Sequence, residues 1–232
     1  GIDITIWVAQ WVSALPGNVW FMPRLPPEGL LLISLGGLWL CLWRGSWRYW
    51  GVAPIAAGFA GMLLTRPPDI VIADGGVSAY GPNGAATGIL AGSEGGAAIV
   101  VASGDITAAA NGYAYGIHAY GYANAYVGST GDISVDSAGS LADGIFASSN
   151  AGNVFVNAGG AMSVSAYADA YGIQALNFGN GYDYVVTSGA IDVTSSTDHA
   201  YGVKALGYGA GLVAIDNSGG IGANGALGAT GI

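Results

Sequence analysis

The pattern of hydrophobic and polar positions changes character near residue 75. Before this point, two uncharged apolar stretches, 29–43 and 49–65, flank a short segment that contains arginines. Such stretches favour helices, and each approaches the roughly 20 residues that a bilayer-spanning helix needs. After this point, apolar residues alternate with polar ones over short segments, which is typical of β-strands with one buried face. The sequence therefore predicts an α-helical membrane hairpin, with spans at about 29–44 and 49–65, followed by a mainly β region.

The β region is built from a regular repeat, with a period of about 29 residues. A Gly followed by Ile or Val marks each copy, at Gly88, Gly116, Gly144, Gly172, Gly202 and Gly231. Two further apolar columns share this period, and the step of six residues between them is the same in all five copies. The predicted core columns contain Ile117, Ile145, Ile173 and Val203; Ile133, Met162 and Ile191; and Val127, Val156 and Val185. One corner of each repeat therefore has fixed geometry, and the other two connections vary in length.

Three short strands per repeat describe one coil of a parallel β-helix, in which each strand pairs with its equivalent in the next coil. We predict a right-handed, three-sided parallel β-helix of about five coils, with the hand taken from the crossover rule. Glycines such as Gly131 and Gly160 precede the second strand, where we expect a positive φ. The predicted domains are 1–75 (helical membrane segment), 76–102 (junction or first coil) and 103–232 (β-helix repeats, truncated at the C-terminus).

Composition separates the two parts further. The chain has 52% hydrophobic but only 8% charged residues, and all seven Trp lie at or before Trp50. Residues 5–15 predict an interfacial amphipathic helix, and the aromatic residues around Arg44 and Arg48 predict an interfacial belt whose turn faces the cytoplasm. We therefore expect residues 1–66 to contact a lipid bilayer. The single Cys41 excludes a disulfide framework.

The acidic β region argues against several kinds of chemistry. Residues 76–232 carry ten acidic groups and one basic group, so nucleic-acid binding is disfavoured there. Lys204 is alone and no Arg follows Arg66, so the clustered acids and bases of a polysaccharide lyase are missing. Asp105 and Asp132 occupy equivalent corners, but Ala161 interrupts the series. We expect a non-enzymatic protein without catalytic residues, cofactor or metal site.

Tyrosines near the variable connections are the candidate recognition residues of the β region. Tyr120, Tyr122, Tyr182 and Tyr184 would present amphipathic rings that suit contact with an unknown surface ligand. An equally open alternative is that these rings stack on aromatic residues of neighbouring coils. His118 and Lys204 occupy the same outward strand position three coils apart, where we expect both to face solvent.

The β region resembles the β-helical passenger repeats of bacterial autotransporters and surface adhesins. The resemblance covers about residues 85–232. Its features are the corner Ser103-Gly104-Asp105-Ile106, repeated as Thr130-Gly131-Asp132-Ile133, and the Tyr-Gly-Ile or Tyr-Gly-Val strands that begin at Tyr115, Tyr171 and Tyr201. It implies a non-enzymatic stalk or adhesin segment that lies outside the cytoplasm, at the cell surface.

The helical region resembles a different family. Three segments are similar to the last membrane helices of ComEC-type competence proteins. They are the run Trp11-Val12-Ser13-Ala14-Leu15-Pro16-Gly17, the run Gly36-Gly37-Leu38-Trp39-Leu40 and Pro68-Asp69. Those proteins are inner-membrane channels for single-stranded DNA. The resemblance covers about residues 1–75 and implies an alternative identity: a channel fragment fused to a foreign β-helix. Such a fusion is either genuine or the product of an assembly artefact.

Overall fold

A computed structural model of the chain describes residues 27–43, 45–64 and 69–232. The chain divides into two compact units, residues 1–67 and 68–232. Three predicted features lie outside the described residues: the interfacial helix at 5–15, the run at 11–17 and the Arg44 end of the cytoplasmic turn. Predictions that involve them stay predictions.

The first unit contains a pair of packed helices. Helix α1 spans Pro27–Leu42, a 3-10 helix spans Ser46–Gly51, and helix α2 spans Val52–Leu64. The backbones approach closely at two glycines, since a Cβ atom on Gly36 would lie 2.5 Å from the carbonyl oxygen of Gly51. Only residues without side chains permit this approach, so the glycines fix where the helices meet.

Neither helix supports the predicted membrane hairpin. Helices of 16 and 13 residues extend about 24 Å and about 20 Å at roughly 1.5 Å per residue, short of the roughly 30 Å hydrocarbon core. Among the described residues, no helix is both long and apolar enough to cross a membrane. The first helix lies two residues before the predicted span at 29–44, and the second is shorter than the predicted span at 49–65 because residues 49–51 belong to the 3-10 helix.

The second unit contains three parallel sheets of six strands each. Sheet A contains β1 (Asp69–Ala73), β4 (Ala97–Ala102), β7 (Asn124–Ser129), β10 (Val154–Ala158), β13 (Asp183–Thr187) and β16 (Val213–Asn217). Sheet B contains β2 (Val77–Gly81), β5 (Ile106–Ala110), β8 (Ile133–Ser137), β11 (Met162–Ala166), β14 (Ile191–Ser195) and β17 (Ile221–Gly225). Sheet C contains β3 (Ala86–Ser93), β6 (Ala114–Gly121), β9 (Ala142–Ser149), β12 (Ala170–Asn177), β15 (His199–Gly207) and β18 (Gly228–Thr230).

Each strand pairs in parallel with the equivalent strand of the next coil. Ile145, for example, lies in register between Ile117 and Ile173 in sheet C, and Met162 lies between Ile133 and Ile191 in sheet B. The apolar columns fill the interior between the three sheets, where their side chains are buried. The predicted mainly β, three-sided parallel solenoid, with its repeat of about 29 residues, is confirmed. Its right-handedness stays a prediction.

The solenoid has six coils rather than about five. The first coil, β1 to β3, begins at Asp69, inside the segment assigned to 1–75, and continues through the predicted junction. Val71 pairs with Val100, and Val77 pairs with Ile106, each one repeat later in the chain. These two valines therefore belong to an additional copy of the repeat at its N-terminal end. The Gly-Ile pattern did not identify them because its first copy lies in the third strand of this coil.

The corner glycines have a different role from the predicted one. Among the described residues only Gly45 has a positive φ, of 96°, so the expectation for Gly131 and Gly160 is wrong. A Cβ atom on Gly160 would instead overlap the carbonyl group of Gly131, one coil below. Glycine is needed there because the backbones of successive coils approach each other closely at this corner.

Candidate functional site

The three outer faces of the solenoid differ in chemistry. Sheet B presents small polar side chains to solvent, in the in-register column Ser78, Thr107, Ser134, Ser163 and Asp192. This alternation of buried apolar and exposed polar residues is expected for a sheet with one solvated face. Sheets A and C depart from it, and their outward residues are therefore the candidates for binding.

Sheet A carries an outward apolar column through all six coils. Its residues alternate along each strand with the inward valine or isoleucine side chains that form or border the core. The column consists of Ile70, Ile99, Tyr126, Phe155, Tyr184 and Ala214. Ile72 and Val101 extend the apolar surface on the first two coils, where they are 65% and 48% exposed. The Phe155 and Tyr184 rings stack with centroids 5.6 Å apart.

This apolar face is large enough to be functional. Five strand spacings of about 4.8 Å and five residues of about 3.3 Å give a face of roughly 24 Å by roughly 17 Å. The outer surface of the whole sheet thus covers roughly 400 Å², on which the apolar residues lie beside Gly128, Asn157 and Asp216. Apolar patches of up to this size on soluble proteins often mark interaction sites. We refer to this outer surface as the sheet A face.

Sheet C carries aromatic rings around its single lysine. The Tyr171 and Tyr201 rings stack at 5.0 Å with an interplanar angle of 5°, and Lys204 Nζ lies 4.9 Å and 4.8 Å from their centroids. Asp143, one coil below Tyr171, is 1% exposed, and its Oδ1 atom has no hydrogen-bond partner. Burial raises the pKa of Asp143 well above its usual range, and the positive charge of Lys204 opposes this effect.

The earlier coils of sheet C form a second aromatic cluster around His118. Its ring lies 4.9 Å from Tyr115, 4.8 Å from Phe146 and 5.8 Å from Tyr120. This burial lowers the pKa of His118. His118 and Lys204 therefore project outward as expected, but both are half-buried among aromatic rings rather than surrounded by solvent.

The structure places the four predicted recognition tyrosines on two separate coils. Tyr120 lies at the end of β6 and Tyr122 just beyond it, whereas Tyr182 directly precedes β13 and Tyr184 is its second residue. All four are exposed by 39% to 61%. Of these, only Tyr184 belongs to the sheet A face, where its ring stacks on Phe155, so the four do not form one site. Phe155 and the aliphatic members of the sheet A column were missed, although Phe155 lies one position before the predicted core residue Val156.

Aspartates at the corners accept hydrogen bonds from backbone N–H groups of the next coil. Asp105 Oδ1 accepts the N–H of Asp132 at 3.0 Å, and Asp132 Oδ1 accepts the N–H of Ala161 at 2.8 Å. These hydrogen bonds explain why acidic residues occupy equivalent corners of neighbouring coils, and the explanation does not require a bound cation. A separate group, Asp169, Asp198 and His199, has potential ligand atoms that all lie within 4.8 Å of one another.

Comparisons with known proteins identify no relative of this chain. No protein-family model, curated protein or solved structure matches the chain. The likeness of residues 85–232 to autotransporter passengers and that of residues 1–75 to ComEC-type proteins stay interpretations of the sequence. A functional assignment therefore depends on the geometry of the solenoid and its outer faces.

Proposed function

We propose that the protein is a segment of a non-enzymatic cell-surface stalk or adhesin, in which the solenoid is the scaffold and the sheet A face contacts a partner. The observation that carries this proposal is the outward column of Ile70, Ile99, Tyr126, Phe155 and Tyr184. Outward aromatic and β-branched residues that share one face are typical of a recognition surface.

The charge of the solenoid defines the chemistry of the partner. Residues 68–232 carry twelve acidic groups and one lysine, so a second acidic surface, including another copy of this chain, would be repelled. The expected partner is a protein with a neutral or basic surface and an apolar patch. Complementary charge would also accelerate the encounter at low ionic strength.

The area of the sheet A face indicates how binding would work. Roughly 400 Å² is about half of the roughly 800 Å² that each partner contributes to a standard stable interface. A single contact is therefore weak, and adhesion would depend on many copies engaging at once. After the first contact, the others form at a high effective concentration, which raises the apparent affinity. This mode of binding suits a protein that is displayed in many copies on a cell.

A bead-adhesion assay tests the proposal. Beads are coated with the full chain or with a variant in which Ile99, Tyr126 and Phe155 are each replaced by Ser, and beads retained on a cultured cell monolayer under flow are counted. The matched control replaces Thr107, Ser134 and Ser163 of sheet B by Ala. We expect at least tenfold lower retention for the sheet A variant and unchanged retention for the control, with circular dichroism showing that both are folded. Equal retention of all three proteins, or no retention above bare beads, would contradict the proposal.

A further inference from the structure

A group of two carboxylates and one imidazole lies at the corner between sheets B and C. His199 Nδ1 is 2.6 Å from Asp198 Oδ1 and 3.7 Å from Asp169 Oδ1. The three side chains are 34% to 43% exposed, so an ion from solvent can reach them. The 2.6 Å contact between His199 Nδ1 and Asp198 Oδ1 is a hydrogen bond, and the potential ligand atoms of all three side chains lie within 4.8 Å of one another. Small rotations of these partly exposed side chains would place the atoms around one metal ion with bonds of about 2.0–2.2 Å.

The fold brings these residues together from two coils. Asp169 precedes β12, and Asp198 and His199 stand at the start of β15, one coil later. The backbone holds them in place, because Asp169 Oδ1 accepts the N–H of His199 at 3.2 Å and Ser195 Oγ accepts the N–H of Asp198 at 3.0 Å. Two ligands would therefore come from one coil and one from the coil below.

From this arrangement we infer that Asp169, Asp198 and His199 bind a divalent transition-metal ion of the Zn²⁺ class, which joins the fourth and fifth coils. An imidazole with two carboxylates suits Zn²⁺ and its neighbours in the transition series, whereas Ca²⁺ and Mg²⁺ take oxygen ligands only. Three protein ligands on a half-exposed surface leave the remaining coordination positions to water.

Two surrounding residues support a built site rather than a chance cluster. Tyr171 Oη donates to Asp169 Oδ2 at 3.3 Å, as an outer-shell residue does for a metal-binding carboxylate. Independently of these contacts, Asp143 lies one coil below Tyr171 with a buried, unpartnered carboxylate oxygen. Asp143 is close enough to Asp169 for the charge of one to act on the other. Because burial favours the neutral form of Asp143, the negative charge at this corner comes from Asp169 and Asp198, and a divalent cation would offset it.

The test is direct titration of the full chain with Zn²⁺, without a polyhistidine tag and with Cys41→Ser to remove the exposed thiol. Binding is measured by isothermal titration calorimetry, and Co²⁺ replaces Zn²⁺ to report coordination by visible absorption. We expect one ion per chain and at least a tenfold weaker affinity in Asp198→Asn and His199→Gln. The matched controls, Asp192→Asn in the preceding strand and His118→Gln on sheet C, keep the wild-type affinity.

Several results would overturn the inference. These are the absence of saturable Zn²⁺ binding, equal binding of Ca²⁺ and Zn²⁺, or unchanged affinity in both Asp198→Asn and His199→Gln. Asp198 is partly exposed, so Asp198→Asn remains decisive if circular dichroism shows that His199→Gln is unfolded. Zn²⁺ should also raise the melting temperature of the wild type but not that of Asp198→Asn, because the ion joins two coils.

Discussion

Asp183 is an acidic side chain at an inward position of the core. It lies in register between Val154 and Val213 in sheet A, is 1% exposed, and has no hydrogen-bond partner for either carboxylate oxygen. Burial raises the pKa of Asp183 to about 6, an effect that the nearby Asn177 side chain partly offsets. A buried carboxyl without partners is costly when charged, so this residue makes the stability of the solenoid depend on pH.

The replacement Asp183→Asn should stabilise the protein at high pH. The folded-state pKa of about 6 is above the unfolded value near 3.8, so the wild type loses stability as pH rises through this window and stays at the lower level above it. Asn has no charge to bury, so its gain in melting temperature over the wild type should be larger at about pH 8 than at about pH 4. The exposed control Asp192→Asn should show no such difference, and a pH-independent effect of Asp183→Asn would contradict the account.

Close approach of the coils makes a corner glycine irreplaceable. Gly160→Ala should lower the free energy of unfolding by about 1–3 kcal/mol, the usual cost of overpacking, because its Cβ atom would overlap the Gly131 carbonyl. Gly128 in β7 is the control, since the nearest atom to its Cβ would be 3.9 Å away, and Gly128→Ala should be neutral or stabilising. Urea unfolding compares the two variants, and an equal loss in both would refute the role given to Gly160.

At the scale of the strand, the fixed spacing of the apolar columns was enough to predict the pairing. The regular intervals in the sequence recur as the register of the sheets, for example Ile145 opposite Ile173. Periodicity of this kind predicts a fold reliably because every coil packs its apolar residues against its neighbours in the same way. The apolar stretches before residue 67 have no such repeat, and composition alone did not indicate where their helices end.

The candidate sites were harder to predict than the strands. An outward Ile or Phe in a strand is not informative by itself, and the sheet A column becomes visible only when six strands are aligned. Asp169 is a full repeat away from Asp198 and His199 in the chain, so their proximity depends on knowing which corner positions coincide. The expectation of no metal site rested on Asp105 and Asp132, where the carboxylates bond to backbone N–H groups instead.

A change in the middle of one core column should affect neighbouring coils. Ile173 is fully buried and lies between Ile145 and Val203. Removing a buried Ile side chain costs about 2–5 kcal/mol, and Ile173→Asp adds the cost of a buried charge. We expect faster hydrogen–deuterium exchange in strands β9, β12 and β15 together. The control Thr107→Asp on the exposed face of sheet B, where the in-register neighbours Ser78 and Ser134 are uncharged, should leave exchange unchanged. Faster exchange in β12 alone would argue against a shared core.

At the scale of the whole solenoid, each coil contacts only the coils before and after it. Stability in such a molecule is approximately the sum of coil and interface contributions. This arrangement explains how one chain can carry three different faces. The inward residues are constrained by packing, whereas the outward residues of sheets A, B and C vary independently. A binding surface can therefore be built on one face without disturbing the core.

The most direct test of this account is the distance between outward residues of sheet B. Nitroxide labels are attached to cysteine pairs at Ser78 and Ser163, three coils apart, and at Ser78 and Asp192, four coils apart, in a Cys41→Ser background. Pulsed electron paramagnetic resonance should give two narrow distance distributions whose means differ by about 4.8 Å, one strand spacing. Broad distributions, or a second distance that does not exceed the first, would contradict the stacked solenoid.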